Sequence, residues 1–300
     1  MLVNQQAVQG IYQSFRVIYN KAFAEAKPLY KEIATLIPSA TSSENYKWLG
    51  KIPRMREWIG DRVIQNLGAS EYTIKNKDFE LTIAVDRNDI EDDTLGIYNP
   101  LIQSLGDSAA IHPDELVFDL LKNGFKNKCY DGKPFFTTEH KEGKSGQQSN
   151  KSTYKLTAET YGDARASMMS LKDDQGKPLK VKPALLVVPP QLESKAKEIL
   201  FAERVNGSTN IYKDTAKLLV VPDLSDEPDA WYLLDTTKPI KPLIFQQRKK
   251  PQIVAKNKAT DDNVFFQKEY IYGVDSRDNA GYGLWQLAFG STGKEDKPSS

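Results

Sequence analysis

Apolar positions recur at helical spacing from the start of the chain. Val8, Ile11, Tyr12, Phe15, Ile18, Tyr19, Ala22 and Phe23 share one face of a predicted helix, with Gln13, Arg16, Asn20 and Lys21 opposite. Pro28 ends it, and Leu29, Tyr30, Ile33, Leu36 and Ile37 predict a shorter second piece. Such a helix packs on its own domain or reaches a neighbour as an arm, and spacing does not choose between them. Glu71 to Val85 switches to strand periodicity, with Tyr72, Ile74, Phe79, Leu81, Ile83 and Val85 alternating with polar residues. Leu95 to Phe125 is the longest helical pattern. Pro113 predicts a kink or restart in it, and Gly124 a left-handed C-cap.

Between the first helix and the alternating strand lies a stretch with neither period. Tyr46-Lys47-Trp48-Leu49-Gly50-Lys51-Ile52-Pro53-Arg54-Met55-Arg56-Glu57-Trp58-Ile59-Gly60-Asp61-Arg62 has too much proline and glycine for a long helix and too much charge for a core strand. It predicts an extended hairpin or loop that returns to a sheet. Tryptophan and arginine in a loop of this length point to contact with another chain. Trp48, Lys51, Arg54, Arg56, Glu57, Trp58 and Arg62 are the candidate interface residues.

Past Lys141 to Thr153, a polar stretch expected to be a flexible loop and the best internal boundary, the pattern turns mixed. Thr157 caps a helix with Tyr161, Ala164, Met168 and Leu171 on one face, and Asp173 to Pro178 is a turn. Ala184 to Val188 reads as a buried strand, and Pro189-Pro190 starts a helix carrying Leu192, Ala196, Ile199 and Leu200 inward. Strands are predicted at Lys217 to Val221, Ala230 to Leu234, Leu243 to Gln246 and Gln252 to Ala255, giving a mixed sheet with helices against it. Two more are predicted within Val264 to Phe289, on either side of a break at Asp275 to Ala280. Lys294 to Ser300 is a polar, frayed tail.

Composition narrows the function classes. At 300 residues, 39% hydrophobic and 27% charged, the chain has ordinary globular chemistry. A net charge of +1 makes no bulk case for nucleic-acid or membrane binding. The one cysteine excludes an internal disulfide and fits a reducing cytoplasm. No signal-peptide pattern or membrane-length apolar run is present, so a soluble intracellular product is expected.

Candidate chemistry is sparse. The acidic run Asp86 to Asp93 lacks calcium-loop spacing, and a helix start accounts for its acids. His112 beside Asp114 and Glu115 could serve acid-base chemistry, but a helix restart accounts for the same residues. Cys129 with His140 or His112 is the residue set for a thiol hydrolase, against a plain buried or surface cysteine. One Cys and one His fall short of a structural zinc site. Arg248-Lys249-Lys250 reads as a solvated loop. No phosphate loop, dinucleotide fingerprint or nucleophile elbow occurs, so no catalytic, cofactor or metal residues are assigned.

The order of arm, long loop, strand, long helix, turn, mixed sheet and returning aromatic strands resembles the α+β tailed-phage capsid fold named after phage Hong Kong 97. More narrowly, the chain resembles the Mu-like phage major head subunit. The resemblance rests on Tyr46 to Gly50, Pro53 to Arg62, Asn76 to Glu80, Val85 to Asp93, His112 to Leu116 and Tyr130 to Gly132. It implies an N-terminal arm (1–45), an extended loop over the adjacent subunit (46–78) and a peripheral domain with the spine helix (79–156 and 256–292). An axial domain (157–255) and a flexible tail (293–300) complete the implied division. The implied product is a non-enzymatic shell subunit, forming hexamers and pentamers of itself around double-stranded DNA in the virion. A shell enclosing a cargo enzyme is the near alternative. The resemblance implies a scaffold and a maturation protease as partners; because the chain begins directly with the arm, the scaffold is expected to be a separate protein, with assembly in the host cytoplasm and no membrane.

Overall fold

Two β-sheets, joined by one long helix that lies against both, organise the chain. The computed structural model describes residues 5–49, 72–92, 96–205 and 207–298. The first half runs through α1 (Gln5–Glu25), α2 (Tyr30–Ile33), β1 (Ala34–Pro38), β2 (Ser43–Asn45), β3 (Thr73–Lys75), β4 (Lys77–Asp86), α3 (Arg87–Asp92) and α4 (Asn99–Asn123). There follow β5 (His140–Lys141), β6 (Gln147–Gln148), β7 (Lys151–Tyr154), α5 (Ala158–Met169), β8 (Leu185–Val188) and α6 (Glu193–Phe201). The rest comprises β9 (Arg204–Val205), β10 (Ser208–Thr209), β11 (Lys217–Val220), β12 (Trp231–Leu234), β13 (Leu243–Lys256), α7 (Asp262–Gln267), β14 (Glu269–Tyr282) and β15 (Ala288–Glu295). Among the described residues, no helix is long and apolar enough to cross a membrane.

The first sheet has the order β1-β13-β14-β4, and the second β11-β8-β12-β15-β7. Leu185 and Val187 of β8 face the core that α4 fills with Val117, Phe118 and Leu121, while Leu186 and Val188 face α5 and α6. Burial on both faces is why β8 reads as an unbroken apolar run. The helix α1 packs along α4 and the first sheet through Val8, Phe15 and Tyr19, so its apolar face is covered within its own chain. Closeness there is set by Gly106: a Cβ at this position would lie 2.7 Å from the Tyr19 carbonyl oxygen and 2.9 Å from the Ala22 Cβ.

Several expected elements differ. Only Tyr30–Ile33 of the second N-terminal piece is helical; Ala34–Pro38 is a strand in parallel register with β13. Helix α4 continues through Pro113 without a restart. Its C-cap Gly124 is right-handed (φ −62°), and glycine serves there because a Cβ would sit 2.7 Å from the Phe136 ring. The acidic run forms the short helix α3, tied by an Arg87–Glu91 pair at 3.5 Å.

The strands predicted at 243–246 and 252–255 are one strand, which carries Arg248-Lys249-Lys250 within it and pairs with β14 rather than with β8. Segment 157–255 therefore contributes strands to both sheets. No break occurs at Asp275 to Ala280, because β14 is central in its sheet and held by β13 and β4 on either side. Phe265 and Phe266 lie on α7 and not on a strand, and they are 71% and 77% exposed. The tail is ordered further than expected. β15 runs to Glu295, and the Lys297 ammonium meets Glu159 and Asp163 of α5, each at 2.6 Å.

The loop stem and the buried polar cluster

The long loop leaves the first sheet through a two-stranded stem, in which β2 pairs antiparallel with β3 from Ser43↔Lys75 to Asn45↔Thr73. At its foot the buried polar side chains of Ser39, Asn76 and Gln246 are paired. Asn76 Nδ2 donates to Ser39 Oγ (2.9 Å) and to the Thr41 carbonyl (2.9 Å). Gln246 of β13 donates to Asn76 Oδ1 (2.7 Å) and accepts from the Tyr46 hydroxyl (2.8 Å). Backbone amides do the same: Tyr46 N donates to the Tyr72 oxygen (2.8 Å) and Asn76 N to the Ser42 oxygen (2.9 Å). Glu44 accepts from the Ala40 amide and from Ser39 and Thr41, which holds its carboxyl below the usual range. Buried amide-to-amide bonds of this kind fix a register, since breaking one strands its partner.

Of the seven candidate interface residues, the structure describes Trp48. Its ring is half-buried, edge-on to Tyr46 with centroids 6.0 Å apart, and packed on the stem core of Tyr46, Leu49, Ile74 and Ile244. Lys51, Arg54, Arg56, Glu57, Trp58 and Arg62 lie outside the described residues.

Beside the stem lies a polar cluster that joins the 129–148 turn region to the segment before β15. Cys129 Sγ donates to Asp131 Oδ1 (3.2 Å), and His140 Nδ1 faces Asp131 Oδ2 (2.6 Å). His140 Nε2 faces the Phe135 carbonyl oxygen (3.2 Å), and its ring stacks flat on Trp285 at 3.9 Å. Glu142 Oε1 accepts from the Tyr130 hydroxyl, Trp285 Nε1 (2.9 Å) and Gln286 Nε2 (2.8 Å). Asn150, fully buried, donates through Nδ2 to the carbonyls of Phe135 (2.8 Å), Ala288 (3.2 Å) and Trp285 (3.3 Å), and accepts from the Thr137 amide (2.9 Å).

Sequence reasoning placed Asn150 in a flexible loop. The stretch instead contains the β5–β6 pair and the start of β7. Asp131 was also missed as the group joining Cys129 to His140. The available signal was an acid two residues after Cys129 in a Gly-containing turn.

The thiol-hydrolase constellation does not assemble. His112 is elsewhere, 3.3 Å from Asp278 and against the Phe79 ring. The nearby Asp114 is no first-turn acid of a restarted helix; it accepts the Leu29 and Tyr30 amides at 2.9 and 2.7 Å, capping α2. His140 does reach the neighbourhood of Cys129, but its Nδ1 is aimed at Asp131, and the thiol donates there too. Burial first, then the Asp131 charge, pushes the Cys129 thiol well up, the reverse of an activated nucleophile. Burial alone would raise Asp131; the hydrogen bond and charge of His140 and the Lys133 amide bring it below the usual range.

Burial raises the Glu142 carboxyl above its ordinary range, and Asp131 adds to this, while Tyr130, Trp285 and Gln286 oppose it. The folded state then binds more protons than the unfolded chain, so this contribution to stability is present below about 4.3 and is lost as pH rises through the folded pKa. Glu142→Gln keeps an acceptor and removes the titration. Melting temperature across acid to neutral pH should therefore fall more steeply in the parent than in E142Q. Parallel curves would refute the assignment, since the raised Asp114 is common to both proteins.

The sequence profile of the Mu-like prophage major head subunit gpT matches residues 8–155, 146–224 and 223–298. The chain is 35% identical to the major capsid protein of Escherichia phage Mu over 288 residues, covering 96% of this chain and 74% of that protein. The chain belongs to the Mu-like phage major head subunit family. It is also 34% identical over 292 residues to the Mu-like prophage FluMu major head subunit of Haemophilus influenzae, covering 97% of this chain and 75% of that one. Among solved structures, the procapsid of bacteriophage JBD30 matches at a TM-score of 0.62 and 36% identity, over 99% of this chain and 77% of that one. The fold is the Hong Kong 97-type α+β capsid fold, and the protein is a head subunit that self-assembles into an icosahedral phage shell. A Mu-like subunit is a phage head component, so the cargo-shell alternative gives way to the phage head.

Proposed function

We propose that this shell subunit encloses double-stranded DNA and that its loop, residues 46–78, clasps the adjacent subunit. The observation that carries the reading is the stem: Tyr46, Asn76 and Gln246 fix both ends of the loop to the first sheet through buried hydrogen bonds. A loop so anchored can transmit load between subunits without unfolding its own sheet. Trp48, Lys51, Arg54, Arg56, Glu57, Trp58 and Arg62 are the contact residues in this reading, because tryptophan and arginine are enriched among the residues that carry interface energy. Weak repeated contacts of this kind add up over a closed symmetric lattice of hexamers and pentamers.

In the same reading the first sheet with α4 is the peripheral domain, and the second sheet with α5 and α6 is the axial one. The role is structural and not catalytic: the buried Cys129 thiol is bonded to Asp131, not to a histidine base. A net charge of +1 suits a wall that holds DNA without gripping it, since many phosphate contacts would make binding tight and salt-sensitive. A scaffold and a maturation protease act as separate partners, and assembly takes place in the host cytoplasm before the shell becomes part of the virion.

Trp58→Ala and Arg56→Glu should each leave the subunit folded, with parental circular dichroism and melting, yet sedimenting as small species. Normal closed shells from both variants, seen by electron microscopy, would remove the loop from this role.

A further inference from the structure

The polar cluster at the foot of the loop stem has the donor set of a transition-metal site. We propose that Cys129, Asp131 and His140 bind a zinc-class divalent cation through Sγ, a carboxylate oxygen and Nδ1, with water in the fourth position. Their ligand atoms all lie within 4.8 Å of one another. Thiolate, imidazole and carboxylate together suit zinc or its close analogues; magnesium and calcium take oxygen ligands.

Three further observations point to a cation. The first is the orientation of the histidine. The Phe135 carbonyl lies 3.2 Å from Nε2, which turns Nδ1 into the cluster, where it faces Asp131 Oδ2 at 2.6 Å in the metal-free site. Metal-bound histidines are oriented by such a carbonyl, and here the flat Trp285 ring holds the imidazole plane as well.

The second is charge. Two carboxyl groups, Asp131 and Glu142, lie in this buried region against one imidazole. The neighbouring Lys133 ammonium is turned outward to Glu139 at 3.0 Å. His140 offsets Asp131 alone, and a divalent ion would offset the acidic excess that Glu142 adds.

The third is geometry. Tetrahedral zinc holds sulfur and oxygen roughly 3.5 Å apart and nitrogen and oxygen roughly 3.3 Å apart. The Sγ···Oδ1 separation of 3.2 Å is close to this. Sulfur and nitrogen meet different oxygens of the Asp131 carboxylate, which is 11% exposed, so binding through one oxygen requires the carboxylate to turn and the 2.6 Å Nδ1···Oδ2 contact to open. On binding, the thiol proton and the Nδ1 proton that faces Asp131 both leave to solvent while Nε2 keeps its proton toward Phe135, so binding releases protons and affinity rises with pH. The site would lock the 129–140 turn to Trp285, next to the stem from which the long loop departs.

The test uses the purified full chain, stripped with chelator and titrated with Co²⁺ alone. The parent should develop a near-ultraviolet thiolate-to-cobalt band, saturating at about one ion per chain and displaced by Zn²⁺. Cys129→Ser should lose the band and bind at least about tenfold more weakly. Absence of the band in the parent overturns the proposal whether or not the variant folds. Equal metal retention by Cys129→Ser overturns it as well. Either result leaves a metal-free triad, in which the thiol and the imidazole both donate to Asp131.

Discussion

Asn150→Asp should leave the subunit largely unfolded or insoluble when expressed alone. The Asn150 amide nitrogen points at three carbonyl oxygens within 3.3 Å, in a place with no solvent exposure. A carboxylate would present oxygen to oxygen there and bring a buried charge with no cation among those partners. The loss of three hydrogen bonds and the stranded charge together cost about 4 kcal/mol or more, a large part of a domain's whole stability. Asn150→Ala removes the donors without adding charge and should cost about 2–4 kcal/mol. Denaturant midpoints of the soluble fractions check both. An Asp variant as stable as the parent would mean that the 135–137 turn and the segment before β15 are not held together at this residue.

Trp231→Ala should be the most damaging apolar truncation in the second sheet. Trp231 and Leu233 face the helices α5 and α6, while Tyr232 and Leu234 face the core of α4. The Trp231 ring lies 5.8 Å from Phe289, and its Nε1 donates to the Tyr154 carbonyl at 2.9 Å, linking β12 past β15 to β7. Removal of a buried tryptophan costs about 3–5 kcal/mol, and the Tyr154 oxygen is left without this donor. Trp231→Phe keeps most of the ring and should lose about half as much. Equilibrium unfolding of the two variants separates packing from the hydrogen bond. An Ala variant within about 1 kcal/mol of the parent would contradict the layered core described for this sheet.

These two residues differ in how far the sequence revealed them. Trp231 sits in an apolar run, and such runs announce themselves: Leu185 to Val188 and the α1 face of Val8, Phe15 and Tyr19 are buried as their spacing predicts. Asn150 sits among Ser, Gln and Lys, where polarity reads as solvent, and its three carbonyl partners are supplied by segments distant in the chain. The same reason hid β1. Leu29, Ile33 and Ile37 fit a helical period, but pairing with β13, far downstream at Leu243, makes a strand of Ala34–Pro38.

Polar stretches inside long strands misled in the opposite direction. Asp275 to Ala280 looks like a break, yet Ser276 and Asp278 are buried, with Asp278 facing His112. Arg248 to Lys250 looks like a loop, yet the ladder to β14 resumes after two register shifts. Cys129 and His140 stood out by type, whereas Asp131 entered only once the turn brought it between them.

The returning side of the stem was legible as alternation from Glu71 to Val85, whereas its outgoing strand Ser43–Asn45 lies where the sequence reads as a polar break, and the structure adds the buried Asn76–Gln246 pair. What the loop touches beyond Trp48 rests on its residues and on the resemblance that the family match establishes. Electron microscopy of the assembled wild-type protein, at a resolution that traces the backbone, tests this most directly. Closed icosahedral shells are expected, in which residues 46–78 of each subunit lie across a neighbour, with Trp58 and Arg56 against it. Subunits that stay monomeric under every condition tried, with or without phage partners, would contradict it, as would a shell in which the loop folds back on its own subunit.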